Sequence, residues 1–289
     1  MEVANNKLLK GADLAAKLLM QVAKDAKDLK SKDVPLGIAF ISIGEDPASK
    51  VYLTRKRKIA ASIGIESIDC NFNENTSTEK LIYEIEELNK RKDVTGILVQ
   101  LPIPKSIDSF KAINAIDPKK DVDGFTVENI GRLITKQKCL VPCTPQGCVA
   151  LIKSVEQNIS GAHAVIIGRS HIVGRPLSEL LLQENCSVTV LHSRSKKPEE
   201  IARTADILIS AVGEPKLVHE GWVKPGAIVI DVGITRAVDE NGKKKLIGDV
   251  DFENVINKVK AITPVPGGVG PMTIAYLMKN TIDAAKLFI

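Results

Sequence analysis

The sequence predicts an α/β protein made of two α/β domains with parallel sheets. Three observations carry this. Short apolar runs of strand length alternate with longer segments of helical period, which is the pattern of βαβ units. The alternation stops across residues 117–143 and then resumes. A chain of 289 residues is about two domains at roughly 100–200 residues each.

The elements follow in order. Residues 11–30 carry apolar side chains at helical spacing, with Lys and Asp on the other side, and predict a helix. PLGIAFISIG at 35–44 predicts a buried strand, 47–63 a helix, 66–72 a strand, and 78–90 a helix rich in Glu, Leu and Ile. VTGILVQLP at 94–102 predicts a third strand, and 106–116 a short helix. The stretch 117–143 holds Asp-Pro, Asp-Gly and Pro-Cys-Thr-Pro, which punctuate rather than continue an element. The second run predicts a helix at 145–156, a strand at 163–167, a glycine-containing turn and a helix ending near 182. Strands at 187–191, 206–211 and 227–232 enclose a helix at 198–205. A last helix at 271–287 follows the loop PVPGGVGP.

The last helix is expected to pack back on the first unit. The domains would then be 1–145 with 271–289, and 146–270. Active sites in such architectures sit at the carboxyl ends of strands and between domains, so the expected site is the cleft between the two.

Composition removes several classes. Hydrophobic residues are 44% and charged residues 26%, which excludes a disordered chain. No apolar run approaches the ~18 residues of a membrane span, so no membrane partner is expected. The first seven residues carry no secretory signature. Forty Lys and Arg against 35 Asp and Glu leave a formal charge of +5, and aromatics are 3%. A mildly basic chain with few stacking rings is not expected to bind nucleic acid. Five cysteines, an odd number, point to reduced thiols and a cytoplasmic setting. Cys139, Cys143 and Cys148 lack the paired spacing of a zinc site, and no metal is expected.

The segment AVIIGRSHIVGRPLSELLL reads as strand, turn and helix, with Gly168 ending the strand and Gly174 near the helix start. A helix N-terminus offers free N–H groups and partial positive charge to a pyrophosphate. The spacing is not G-x-G-x-x-G, so the segment reads either as a plain tight turn or as a pyrophosphate site, and the expectation is that the second domain is a Rossmann-like dinucleotide-binding domain. The next strand ends in His192-Ser193-Arg194-Ser195, where an NAD site usually carries Asp or Glu. Arg194, Ser193 and Arg169 suit a 2′-phosphate, so the cofactor expected is NADP.

In the helix at 47–63, Tyr52, Ile59 and Ile63 share one face, and Lys56 lies within it one turn after Tyr52. Lys50, Arg57 and Lys58 point elsewhere. An ammonium on an apolar stripe either snorkels out or loses pKa and becomes an acid/base group. Gln100 ends an apolar strand, where its amide can hold a lysine or a substrate, or simply bond a neighbouring loop. Asp121 and Asp123 lie in KDVDGF, where either can brace a turn or accept hydrogen bonds from the amino-imino edge of a ring. The three glycines of PVPGGVGP permit either close backbone approach to a flat ligand or a sharp crossing of the chain between domains.

With these residues in hand, the sequence resembles the bifunctional methylenetetrahydrofolate dehydrogenase/methenyltetrahydrofolate cyclohydrolase family. The landmarks are Tyr52-x3-Lys56, VQLP at 99–102, KDVDGF at 120–125, PCTP at 142–145, GRSHIVGRP at 168–176 and PVPGGVGPMT at 264–273. The resemblance implies NADP-dependent oxidation of 5,10-methylenetetrahydrofolate and hydrolysis of the methenyl product to 10-formyltetrahydrofolate. It implies Lys56 as the main catalytic group, Gln100 tuning it, Tyr52 packing on the folate and Asp123 anchoring the pterin. Gly168, Arg169, Ser170, Ile172, Ser193 and Ile234 would serve the nucleotide, and Pro266, Gly267 and Gly268 the substrate. It also suggests a homodimer. The rival readings are a hydroxy- or amino-acid dehydrogenase on a similar frame, and a nucleic-acid binder using the basic cluster at 50–58.

Overall fold

A computed structural model describes residues 6–44, 47–238 and 244–288. The chain divides into two compact units, Ala16–Cys143 with Ile274–Ile289, and Met1–Ala15 with Thr144–Thr273.

The unit built on residues 16–143 holds a parallel sheet of three strands. Strand β1 (Gly37–Ile43) is central, with β2 (Glu66–Phe72) on one side and β3 (Gly96–Val99) on the other. Its helices are α1 (Gly11–Lys30), α2 (Pro47–Ser62), α3 (Thr78–Lys90), α4 (Ser109–Asn114) and α5 (Val127–Ile134). Side chains on a strand alternate between faces, and β1 divides accordingly. Ile38 and Phe40 join a core with Val22, Ala26 and Leu29 of α1, whereas Ala39, Ile41 and Ile43 join another with Leu81, Ile85 and Leu88 of α3. Both faces are covered, which is why β1 reads as an apolar run interrupted only by the half-buried Ser42. Edge strand β2 alternates exposed and half-buried residues.

The other unit contains α6 (Cys143–Val155), β4 (His163–Ile167), α7 (Gly174–Gln183), β5 (Ser187–Leu191), α8 (Pro198–Ala202), β6 (Ile207–Ser210) and β7 (Ile228–Asp231). The antiparallel pair β8 (Thr235–Val238) and β9 (Lys244–Ile247), α9 (Phe252–Val255), β10 (Ala261–Ile262) and α10 (Val269–Ala285) follow. Five strands form a parallel sheet in the order β10-β7-β6-β4-β5. The chain leaves β4 to one side for β5 and returns on the other for β6, so the strand order reverses beside β4, where α/β sheets hold ligands.

Five elements and the N-terminal segment depart from the sequence reading. Helix α5 lies inside the stretch read as an interruption. The β8–β9 pair, α9 and β10 were not anticipated, being too short for a periodic signal. Residues 1–15 were expected with the first unit. Instead Leu8 bridges Ile262 and the Leu9 N–H donates to the Ile262 carbonyl at 2.8 Å, because β10 offers them a free sheet edge. The far part of α10 enters the first unit's core through Ile274, Leu277, Met278 and Ile282, at helical spacing.

Candidate active site

Helix α2 places Lys56 among apolar neighbours. Leu53 and Ala60 are buried in the core, and Tyr52, Ile59 and Ile63 pack against it. Lys56 is only 5% exposed, so it does not snorkel. Its Nζ donates to Gln100 Oε1 at 3.0 Å and stands 4.8 Å from the centre of the Tyr52 ring. Burial pulls the ammonium below the ordinary lysine pKa, and the charge of Asp123 opposes this. The physical cause is desolvation, which penalises the charged form.

Gln100 is held from both ends. Its backbone N–H donates to the Ile41 carbonyl at 2.8 Å, extending β3 against β1. Its Nε2 donates to the Leu101 carbonyl at 2.6 Å, which turns Oε1 toward the lysine. The residue also lines a pocket of about 740 Å³ at the carboxyl ends of β1, β2 and β3, with Ser42, Asn71, Thr54 and Pro102.

The two candidate aspartates separate. Asp121 is 1% exposed and accepts from the Gly124 and Thr126 N–H groups and from Asn129 Nδ2 at 2.8–2.9 Å. It braces the turn. Asp123 is partly buried at the tip of that turn. Burial and, to a smaller extent, Asp121 raise its pKa to about 6 against the lowering charge of Lys56. Lys56 thus meets both Gln100 and Tyr52, and Asp123 is coupled to Lys56 by charge.

Two structural residues of this region were missed from sequence. Lys120, 3% exposed, donates to the carbonyls of Asn89 and Arg91 at 2.8 and 2.7 Å and so caps α3, whose last carbonyls lack helical partners. Asn280, 2% exposed, donates through Nδ2 to the carbonyls of Val122 and Val141, both at 2.8 Å. Neither carries a local signal, since both partners are distant in sequence.

In the other unit, Gly168 follows β4 with φ +117°, and a Cβ there would sit 2.5 Å from the Ala211 carbonyl oxygen. A Cβ on Gly174 would sit 2.2 Å from the Gly168 carbonyl oxygen. Glycine is therefore required twice where the turn enters α7. Ser170 Oγ accepts from the Val173 and Gly174 N–H groups at 3.2 and 3.4 Å, tying down the α7 N-terminus. Arg169 is exposed. At the end of β5, Ser195 Oγ accepts from the His192 N–H and His192 Nδ1 from the Arg194 N–H. This turn occupies His192 and Ser195 and leaves Ser193 and Arg194 exposed. Ile172, Val212 and Ile234, on loops after β4, β6 and β7, are 37%, 42% and 56% exposed. Such exposed apolar side chains beside a glycine turn and basic groups fit a nucleotide with flat rings and phosphates. Pro266, Gly267 and Gly268 belong to this unit too. The Val265–Pro266 bond is cis, Gly267 has φ +108°, and the Gly268 N–H donates to the Pro264 carbonyl at 2.8 Å.

Comparison with known proteins decides the family. Residues 9–123 match the tetrahydrofolate dehydrogenase/cyclohydrolase catalytic domain, and residues 142–288 the NAD(P)-binding domain of the same family. The chain belongs to the tetrahydrofolate dehydrogenase/cyclohydrolase family. Bifunctional protein FolD 3 of Ectopseudomonas mendocina is 50% identical over 97% of this chain and 91% of that one. Bifunctional protein FolD of Acetivibrio thermocellus is 51% identical over 97% of each. Among solved structures, the FolD dehydrogenase/cyclohydrolase of Campylobacter jejuni superposes with a TM-score of 0.93 at 43% identity, covering 98% of this chain and 99% of that one. The Trypanosoma brucei member, solved with NADP cofactor and inhibitor, superposes at 0.92 with 35% identity over 97% of each chain. In this tetrahydrofolate dehydrogenase/cyclohydrolase, the buried Lys56 lies within the catalytic-domain match and the Gly168 turn within the NAD(P)-binding match.

Proposed function

We propose that this member of the family oxidises 5,10-methylenetetrahydrofolate with NADP⁺ and hydrolyses the methenyl product to 10-formyltetrahydrofolate, and that Lys56 is its catalytic centre. The observation that carries the assignment of Lys56 is a buried lysine held at 3.0 Å by a glutamine that is itself fixed at a strand end.

The methenyl carbon is cationic and already electrophilic, so hydrolysis needs a placed water and removal of its proton more than added activation. Lys56 in its neutral form takes that proton. Burial lowers the lysine's pKa and so favours the neutral form, and the charge of Asp123 opposes this. Gln100 Oε1 sets the direction of Nζ and Tyr52 offers its ring to the bound folate. Asp123, ionised above about pH 6, accepts hydrogen bonds from the pterin's amino-imino edge and so fixes the ring's rotation. Bound NADP⁺ supplies the hydride acceptor for the oxidation. The N-terminal turn of α7 receives its pyrophosphate, and Arg169, Ser193 and Arg194 receive the 2′-phosphate through charge-assisted hydrogen bonds. Ile172 and Ile234 give apolar contact to the nucleotide, and Pro266, Gly267 and Gly268 contact the folate.

Other parts of the reading are a homodimer and a cytosolic setting with folate derivatives as partners. No helix of the described residues is long and apolar enough to cross a membrane. The central test is an absorbance assay with methylenetetrahydrofolate and each nicotinamide cofactor, followed by hydrolysis of isolated methenyltetrahydrofolate. Light scattering on the eluted protein tests the dimer. Absence of both reactions in folded protein overturns the proposal.

A further inference from the structure

We infer that Asn280 is a positioning residue for Asp123: it fixes the peptide from which Asp123 projects, and through it the orientation of the bound pterin. The inference rests on the assignment of Asp123 to the pterin and goes beyond it.

Asn280 lies within α10 between Leu277, Met278 and Ile282 of the apolar core and is 2% exposed. An amide in such a place is unfavourable unless its hydrogens are bonded. Its Nδ2 donates to the carbonyls of Val122 and Val141, both at 2.8 Å, and lies 3.5 Å from Cys143 Sγ. The Cys143 thiol donates to the same Val122 carbonyl at 3.3 Å. That carbonyl shares a rigid, planar peptide with the Asp123 N–H, so two bonds on it set the plane at which the Asp123 side chain begins. The other side of the turn is held by Asp121, through the Gly124 and Thr126 N–H groups. Gly124 has φ +72°, and a Cβ there would meet backbone atoms of Leu140, Val141 and Pro142 at 2.7 Å. The turn therefore rests on the 140–142 backbone, and one amide with two hydrogens bonds a carbonyl on each side of that contact. Asp121 bonds the turn within itself, whereas Asn280 joins it to the 140–142 segment and to α10.

The test is a double-mutant cycle in the full-length enzyme, using Asn280→Ser, Asp123→Asn and the pair. Michaelis constants are measured for methylenetetrahydrofolate and for NADP⁺, with melting curves as folding controls. A misplacement of about 1 Å costs on the order of 10²-fold at a reacting site. Asn280→Ser should accordingly raise KM for methylenetetrahydrofolate about tenfold or more, with KM for NADP⁺ unchanged within about twofold. In the Asp123→Asn background the same substitution should change kcat/KM by less than about twofold, because coupled residues are non-additive. Effects that multiply, an equal rise in both KM values, or an unchanged KM for the folate would overturn the inference. If Asp123→Asn itself leaves the folate KM unchanged, the pterin assignment falls and the inference with it. A silent Asn280→Ser beside a damaging Asp123→Asn overturns the inference alone. Asn280→Asp keeps the size of the side chain and sets a carboxylate against two carbonyls. It runs through the same cycle, with the same expected and refuting outcomes, if the serine variant does not fold.

Discussion

Replacing Lys56 by Met separates chemistry from packing. Methionine retains the length of the side chain and suits the apolar stripe of Tyr52, Ile59 and Ile63, but it cannot move a proton. Loss of a positioned acid/base group costs ~10²–10⁴ in rate, or about 3–5 kcal/mol of barrier at ~1.4 kcal/mol per decade. Cyclohydrolase activity should fall by that amount. Hydride transfer depends on orientation, so the dehydrogenase should lose less. Gln100→Ala acts in the same direction, since Lys56 Nζ then loses its partner at 3.0 Å. Stability should move little or rise. The variant loses a hydrogen bond to a charged group, worth about 1.5–3 kcal/mol, and also loses the cost of desolvating an ammonium that is 5% exposed, which is several kcal/mol. The pH dependence has a definite sign. Burial lowers the lysine's folded pKa below its ordinary 10.5, so between those values the unfolded chain binds more protons than the folded one. Wild-type stability gains from this residue as pH rises through that window, and Lys56→Met lacks the gain. Separate rates for the two reactions, and urea denaturation at neutral and alkaline pH, supply the measurements. A variant that hydrolyses methenyltetrahydrofolate at the wild-type rate would refute the reasoning and leave Lys56 as a packing residue.

Three further outcomes are expected. Because the Asp123 carboxylate forms only above about pH 6, kcat/KM for the folate substrate should decline as pH falls through that value, and Asp123→Asn should flatten this limb of the profile; an unchanged profile in the variant would count against the assignment. Arg169→Ala and Ser193→Ala should each lower the ratio of kcat/KM for NADP⁺ over NAD⁺ by about tenfold, the worth of ~1.4 kcal/mol of charge-assisted bonding, and an unaltered ratio would move the 2′-phosphate elsewhere. Gly174→Ala drives a Cβ to 2.2 Å from the Gly168 carbonyl oxygen, so it should destabilise the protein by about 1–3 kcal/mol and weaken NADP⁺ binding in a calorimetric titration; a wild-type melting temperature and affinity would contradict the close approach.

Much of this was legible in local pattern. The stripe of Tyr52, Lys56, Ile59 and Ile63 follows from helical period alone, and Lys56 proved to be inside it. Strand β1 reads as apolar on both faces because it is buried on both. The Gly168–Gly174 turn is legible as a strand-turn-helix pattern, although its glycine spacing is not the dinucleotide fingerprint. Helix α5 escaped notice because Asp-Gly before it and Pro-Cys-Thr-Pro after it masked a short helix whose N-cap is Thr126.

What the sequence determined by itself is therefore the order and type of the longer elements, the face on which Lys56 lies, and the family. Each depends on residues a few positions apart, or on motifs read in order. Only the tertiary structure decided which aspartate braces the turn and which faces the lysine. Both lie in the KDVDGF turn, but folding buries Asp121 and brings it the Gly124, Thr126 and Asn129 donors, while Asp123 stays partly exposed. It also decided that Lys120 caps α3 across 29–31 residues, that Asn280 reaches Val122 across 158 residues, and that Leu8 joins the sheet at Ile262. These contacts have no period along the chain. They arise because a buried donor or acceptor must find a partner, and the partner is supplied by whichever distant segment packs against it.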